Sequence, residues 1–159
     1  MTDARFEDGA DRPLRLKAWD AEDLQVISAL VQDAVFPASE VAWRRSERRF
    51  AILLNRFRWE DAKSASGQAR DVERVQAVLV LDDVVAVRSQ GVEKGDPDLI
   101  LSVLAVNFEP GEDGTGRVVL TLAGDGAIAC DVEALDVTLK DVTRPYVAPS
   151  RKVPDHGAE

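Results

Sequence analysis

The clearest pattern in the chain is a set of apolar positions with helical spacing near its N-terminal end. Asp20 offers an N-cap oxygen to the first free amides, and Asp23 adds negative charge where the helix dipole is positive. The apolar residues that follow recur every three or four positions and share one face: Leu24, Ile27, Leu30, Val31, Ala34 and Val35. Phe36-Pro37 ends the pattern, because proline cannot continue a helix. The sequence therefore predicts one amphipathic helix over residues 21–35.

Beyond the helix, apolar and polar residues alternate in short runs that are separated by turn-forming residues, which is typical of β-strands. Examples are the runs 74–81 and 84–89, and a hairpin formed by 117–122 and 127–133. The Asp-Pro-Asp segment at 96–98 is compatible with a short helix, but we expect a turn that leads into a strand. Since no further helices are available for parallel crossovers, the strands pair antiparallel. The predicted fold is α+β: a mainly antiparallel sheet or partly closed barrel of seven to eight short strands packed on one N-terminal helix.

Length and composition indicate a single globular domain. The chain has 159 residues, of which 45% are apolar and 31% are charged. Residues 1–12 are acidic and without periodicity, so we expect a flexible arm. Residues 143–159 contain three prolines, which favours an extended tail. The predicted globular domain is therefore 13–142.

Charge and the scarcity of cysteine and histidine exclude several classes of protein. The net charge of −9 argues against nucleic acid and anionic membranes as partners. The sequence begins without a signal-like apolar run and contains no stretch that could span a bilayer, so we expect a cytoplasmic protein. One cysteine, Cys130, and one histidine, His156, cannot form an intrachain disulfide or a Cys/His zinc site. We predict no catalytic residue, no metal and no cofactor.

An arginine-rich hairpin is the candidate binding site. The segments 40–44 and 48–58 are predicted to be strands around a turn at Ser46-Glu47. Six arginines and a single glutamate lie between Trp43 and Trp59. The candidate binding residues are Arg44, Arg45, Arg48, Arg49, Arg56 and Arg58. Guanidinium groups match the geometry of phosphates and carboxylates, although the same arginines could be a solvated strand face paired with nearby acids.

Other residue clusters are interpreted as structural. The acidic pairs Asp82-Asp83 and Asp96/Asp98 lack the spacing of a calcium loop and are good turn sequences. Cys130 has acidic neighbours, which disfavour a reactive thiolate, so we expect it to be buried.

A set of short motifs resembles an uncharacterised family of small cytoplasmic alphaproteobacterial proteins. The motifs are ERRFA at 47–51, LNRF at 54–57, VAVRS at 85–89 and FEPG at 108–111. The resemblance covers about residues 14–142 and implies neither an assigned activity nor a cofactor nor any catalytic residue.

These observations favour a non-enzymatic binding or protein-interaction module that uses the arginine hairpin to engage an anionic ligand or another protein. One alternative is a small hydrolase or isomerase that uses carboxylates and arginine, which requires a cleft with two close carboxylates. A second alternative is a weak RNA-binding protein. It requires Trp43, Phe57 or Trp59 to be exposed beside the arginines.

Overall fold

The computed structural model describes residues 13–59, 73–92, 96 and 98–142. The predicted arm (1–12) and tail (143–159) lie outside the described residues. The elements, in chain order, are β1 (Arg15–Ala18), α1 (Ala21–Leu30), β2 (Val35–Pro37), β3 (Val41–Arg44), β4 (Arg49–Phe57), β5 (Arg74–Leu81), β6 (Val84–Gln90), β7 (Ile100–Pro110), β8 (Gly116–Leu122), β9 (Gly126–Val132) and β10 (Val137–Asp141). Among the described residues, no helix combines the length and apolar character that crossing a membrane requires.

The strands form one antiparallel sheet with the order β1-β10-β5-β4-β2-β7-β8-β9-β6, and β3 pairs with the first half of β4. The predicted mainly antiparallel sheet with one helix is confirmed. The described residues contain ten strands, however, where seven to eight were predicted. The barrel is also not closed, since β1 and β6 stand at the two ends of the strand order.

The sheet surrounds one hydrophobic core. We call β1, β10, β5, β4 and β3 the first layer, and β7, β8, β9 and β6 the second layer; β2 pairs with both β4 and β7. Inward-facing residues of both layers and of α1 belong to the same buried cluster. The backbone N–H of Val84 donates to the carbonyl of Arg48 at 2.9 Å, which places the start of β6 beside the β3–β4 turn.

The helix begins as predicted but ends five residues early. The Asp20 carboxylate accepts a hydrogen bond from the Asp23 backbone at 2.8 Å, and Leu24 and Ile27 are buried. The chain then turns at Asp33, whose φ of 66° is left-handed, a conformation that aspartate tolerates. Val35 is extended and pairs with strands on both sides, so the prediction that the helix continues to 35 is wrong.

Most of the predicted strands match the structure closely. β5, β6, β8 and β9 agree with the predicted runs within one residue at each end. The expected turn before β7 is confirmed, because the backbone N–H of Asp98 donates to the Asp96 carboxylate at 3.1 Å and β7 begins at Ile100.

Candidate functional site

The predicted arginine hairpin is present as the β3–β4 turn, and we call residues 44–49 the β3–β4 tip. Arg44 lies opposite Arg49 in the strand register. Between them, Arg45–Glu47 form one 3-10 turn, which the Arg48 N–H closes by donating to the carbonyl of Arg45 at 3.0 Å. The register and this short turn bring four guanidinium groups to one end of the hairpin.

Three of the four tip arginines have carboxylate partners. Arg44 lies 3.6 Å from Glu47, and the side chain of Arg44 is 66% exposed. Arg49 donates to Asp82 at 2.9 Å, and this hydrogen bond raises the pKa of Arg49 above its ordinary value. Arg48 pairs with Glu133, which follows β9.

Arg45 differs from these three arginines. It is exposed, and within the part of the chain that the structure describes no carboxylate lies within salt-bridge distance of it. The tip therefore presents one guanidinium without an ion pair beside three that are held by exposed carboxylates.

Arg48 has an unusual backbone conformation. Its φ of 56° is left-handed, and the other four non-glycine residues with positive φ in the described chain are all aspartates: Asp33, Asp83, Asp113 and Asp125. Aspartate accepts this region more readily than a long unbranched side chain does. The turn thus places an arginine at a position where a smaller residue would carry less strain.

A shallow groove of about 450 Å³ lies beside the tip. Val85, Pro110 and Val132 contribute apolar surface to it. Glu133 lies in the groove wall and connects the groove to the tip through its pair with Arg48. Asp131, also in the wall, accepts from Arg117 at 2.9 Å and from Arg88 at 2.5 Å. The hydrogen bond to Asp131 raises the pKa of Arg117 above its ordinary value.

Two of the six predicted binding arginines are not on the surface. Arg56 is fully buried, and its Nε and Nη2 each donate to a carboxylate oxygen of Asp141 at 3.0 Å. Arg58 is 3% exposed. The period of two along β4 explains the position of Arg56, because Phe50, Ile52 and Leu54 face the core and Arg56 continues their side of the strand.

The aromatic rings near the arginines do not form a stacking surface at the tip. Trp43 packs against the core. Phe57 and Trp59 lie at the opposite end of β4, about 26 Å along the strand from Arg49. There the Phe57 ring contacts Trp59, with centroids 5.2 Å apart, and Arg74 lies 4.7 Å from the Phe57 centroid.

Cys130 is buried in β9, as predicted. Burial, together with the charge of Asp131, raises the pKa of its thiol to about 12, which keeps it protonated and unreactive near neutral pH. In the described ranges, no group of three or more histidine, cysteine or acidic side chains is arranged to hold a metal ion.

Comparison with known proteins identifies a family. The family model described as "Protein of unknown function (DUF2948)" matches residues 14–156. No curated protein and no solved structure matches the chain.

Proposed function

We propose that this chain, which belongs to the family described as "Protein of unknown function (DUF2948)", is a binding module whose β3–β4 tip engages an anionic group of a partner. The observation that carries the proposal is the exposed Arg45, which has no ion pair within the described residues and stands among three further guanidinium groups. In a chain with a net charge of −9, such a tip is a local positive region that attracts anions.

The ion pairs of the tip arginines are weak enough for an anionic ligand to displace them. Arg44, Arg48 and Arg49 and their carboxylate partners are all at least partly exposed, and exposed pairs contribute about 0–1 kcal/mol each. A ligand carboxylate or phosphate can therefore displace an internal partner at small cost. We expect weak affinity that falls as salt screens the charges.

The groove and the rings support the alternative functions less well. A hydrolase or isomerase in the groove would need two close carboxylates that are free to exchange protons. Three described carboxylates line the groove, and two of them, Asp131 and Glu133, are engaged by arginines, which leaves Glu109. An RNA-binding function would need exposed rings at the tip. The two rings next to it in the strands do not provide them, because Phe50 belongs to the core and Trp43 packs against it.

Amide NMR titration tests the proposal. The probes are a hexaglutamate peptide and sodium tripolyphosphate, each added to wild type, Arg45→Ala and Arg88→Ala. Arg88 is the matched control because it is an exposed arginine of the second layer. We expect the largest shift changes at residues 44–49, about fivefold weaker binding for Arg45→Ala and no change for Arg88→Ala.

Salt dependence provides a second test. Raising NaCl from about 20 to about 200 mM should weaken the binding of both probes, because the Debye length shortens from about 20 Å to below 10 Å. Equal affinities for Arg45→Ala and Arg88→Ala, or shift changes confined to other surfaces, would show that the tip is only a solvated hairpin.

A further inference from the structure

The outward-facing side of the first layer carries a second candidate binding surface. Side chains alternate along its strands, so that the inward positions are buried and the outward positions are partly or fully exposed. The strand register places nine outward positions in two straight rows. We call these nine residues the basic-apolar face: Lys17, Thr138, Val80, Ala51 and Ala42 in one row, and Arg15, Lys140, Val78 and Leu53 in the other.

The basic-apolar face has cations and no carboxylates. Its three charged residues are Arg15, Lys17 and Lys140, and none of its nine positions is aspartate or glutamate. Lys17 pairs with Asp136 at the border of the face at 2.6 Å. Arg15 and Lys140 are exposed and have no ion pair within the described residues. This positive charge lies on a chain whose net charge is −9.

The opposite surface of the protein is different. On the outer side of the second layer, the register aligns Glu109, Arg117 and Asp131 in one row, and Arg88 also reaches Asp131. The positive and negative charges there are equal in number and neutralise each other. An excess of cations on a sheet face is therefore specific to the first layer among the described strands.

The charged and apolar parts of the basic-apolar face lie side by side. The cations are on β1 and β10, whereas β5, β4 and β3 contribute alanine, valine and leucine. Adjacent strands are about 4.8 Å apart, so β1 and β5 are separated by about 10 Å, which is close to the diameter of an α-helix. An exposed tryptophan borders the cationic part: Trp19 is 64% exposed, and Lys17 Nζ lies 5.5 Å from its ring.

We propose that the basic-apolar face docks an acidic amphipathic helix of another protein. The two rows are about 7 Å apart along each strand, so about two turns of a helix that lies along the strands contact the face. The carboxylates of these turns lie toward Arg15, Lys17 and Lys140, and their apolar side chains lie over Leu53, Val78 and Val80.

Charge complementarity selects an acidic partner. The aliphatic part of the face selects a polypeptide, because none of the nine positions offers a ring on which a nucleic-acid base could stack and Trp19 only borders the cations. This surface adjoins the β3–β4 tip, because Arg44 and Arg49 form the next outward pair on β3 and β4. It comprises other residues, and its proposed role goes beyond the function proposed for the tip.

A designed peptide provides the probe. It has about 18 residues, five helical turns, with leucine at positions i, i+3, i+4 and i+7, glutamate along one flank of the leucines and alanine elsewhere to favour the helix. A scrambled peptide of the same composition is the control. Titration calorimetry and amide NMR with the wild-type chain should show micromolar binding of the amphipathic peptide, shift changes in β1, β10, β5 and β4, and at least tenfold weaker binding of the scrambled peptide.

Two charge reversals with equal effect on net charge locate the site. Lys140→Glu on the basic-apolar face should raise Kd about tenfold, and Arg88→Glu on the second layer should change it less than about twofold. Val78→Thr with Val80→Thr, which keeps the side-chain shape and removes apolar surface, should raise Kd about fivefold. Circular dichroism verifies folding. If Lys140→Glu fails to fold, Arg15→Glu on the edge strand β1 takes its place.

Several outcomes would overturn the inference. They are equal binding of the scrambled peptide, equal effects of Lys140→Glu and Arg88→Glu, and stronger binding of a dodecathymidine oligonucleotide or of phosphatidylserine vesicles than of the amphipathic peptide. The Arg45→Ala variant separates the two proposals. If it abolishes peptide binding and Lys140→Glu does not, the tip is the binding site and the basic-apolar face is not.

Discussion

At the scale of single residues, the stability of the interior depends on the buried ion pair between Arg56 and Asp141. Both side chains are completely buried, and Asp141 also accepts a hydrogen bond from the Leu14 backbone at 2.9 Å. The pair therefore connects β4, β10 and the residue that precedes β1. Removing two charges from water is costly, and the cost is balanced only while both partners are present.

Breaking this pair should destabilise the fold strongly. Arg56→Met leaves the Asp141 carboxylate buried without its guanidinium, so we expect a loss of about 3–5 kcal/mol in the free energy of unfolding. Urea denaturation near pH 7 measures it. The double variant Arg56→Met/Asp141→Leu removes both charges of the pair, and most of the stability should return. A single variant as stable as wild type would contradict the burial of the pair.

Because of Cys130, the free energy of unfolding should decrease as pH rises in the alkaline range. The folded thiol has a pKa of about 12, raised from 9.0, whereas the unfolded chain releases the proton near the ordinary value. The unfolded state thus binds fewer protons between these two values, and stability falls as pH rises through that window, by about 1.4 kcal/mol per pH unit. Denaturation curves should show a shallower decline for Cys130→Ala, and parallel declines would contradict the prediction.

At the scale of elements, the helix and β7 are joined at an irregularity of the strand. The register of β7 against β8 shifts between Val103 and Ala105. The buried hydroxyl of Ser28 accepts a hydrogen bond from the Val106 backbone at 2.9 Å, so the helix satisfies a strand amide that β2 is too short to reach. A helical serine thus takes the place of a strand partner at Val106.

The Ser28 hydroxyl should therefore contribute measurably to the free energy of unfolding. Ser28→Ala leaves the buried Val106 amide without its acceptor, which we expect to cost about 1–3 kcal/mol. Ser39→Ala, at an exposed position, is the control and should change the free energy of unfolding by less than about 0.5 kcal/mol. Hydrogen exchange should be faster at Val106 in the first variant only. Equal effects of both substitutions would refute this role.

Periodicity in the sequence was sufficient to predict the long strands, the β3–β4 hairpin and the helix start. β2 was not predictable in this way, because a three-residue strand shows no period and Ala34 and Val35 fit the helical stripe equally well. Arg56 was assigned to the surface by its charge, although the alternation of Phe50, Ile52 and Leu54 already indicated an inward position. At this scale, the spacing of neighbours was a better guide than residue type.

At the scale of the whole molecule, contacts between distant parts of the sequence determine the surfaces. β1 pairs with β10, which brings Arg15 opposite Lys140. Local patterns carry no information about this pairing, so the basic-apolar face could not be predicted from the sequence. The tip, in contrast, is local in sequence. Its predicted binding role for Arg44, Arg45, Arg48 and Arg49 remains a prediction, whereas burial removes Arg56 and Arg58 from the surface.

The tip also adjoins the second layer through Arg48. The variant Arg48→Gly tests whether the fold depends on the Arg48 side chain. Arg48→Gly keeps the backbone carbonyl that accepts from Val84 and removes both the left-handed strain and the ion pair with Glu133. Relief of strain offsets the entropy of glycine and the loss of an exposed pair, so we expect stability within about 1 kcal/mol of wild type.

Hexaglutamate binding should weaken severalfold in the same variant, because a guanidinium has left the tip. Urea denaturation and NMR titration on one sample measure both quantities. A loss of stability well above 1 kcal/mol, about the upper limit for an exposed ion pair, would mean that the Arg48 side chain holds the end of β6 against the first layer. The tip would then be part of the framework and not a separable binding element.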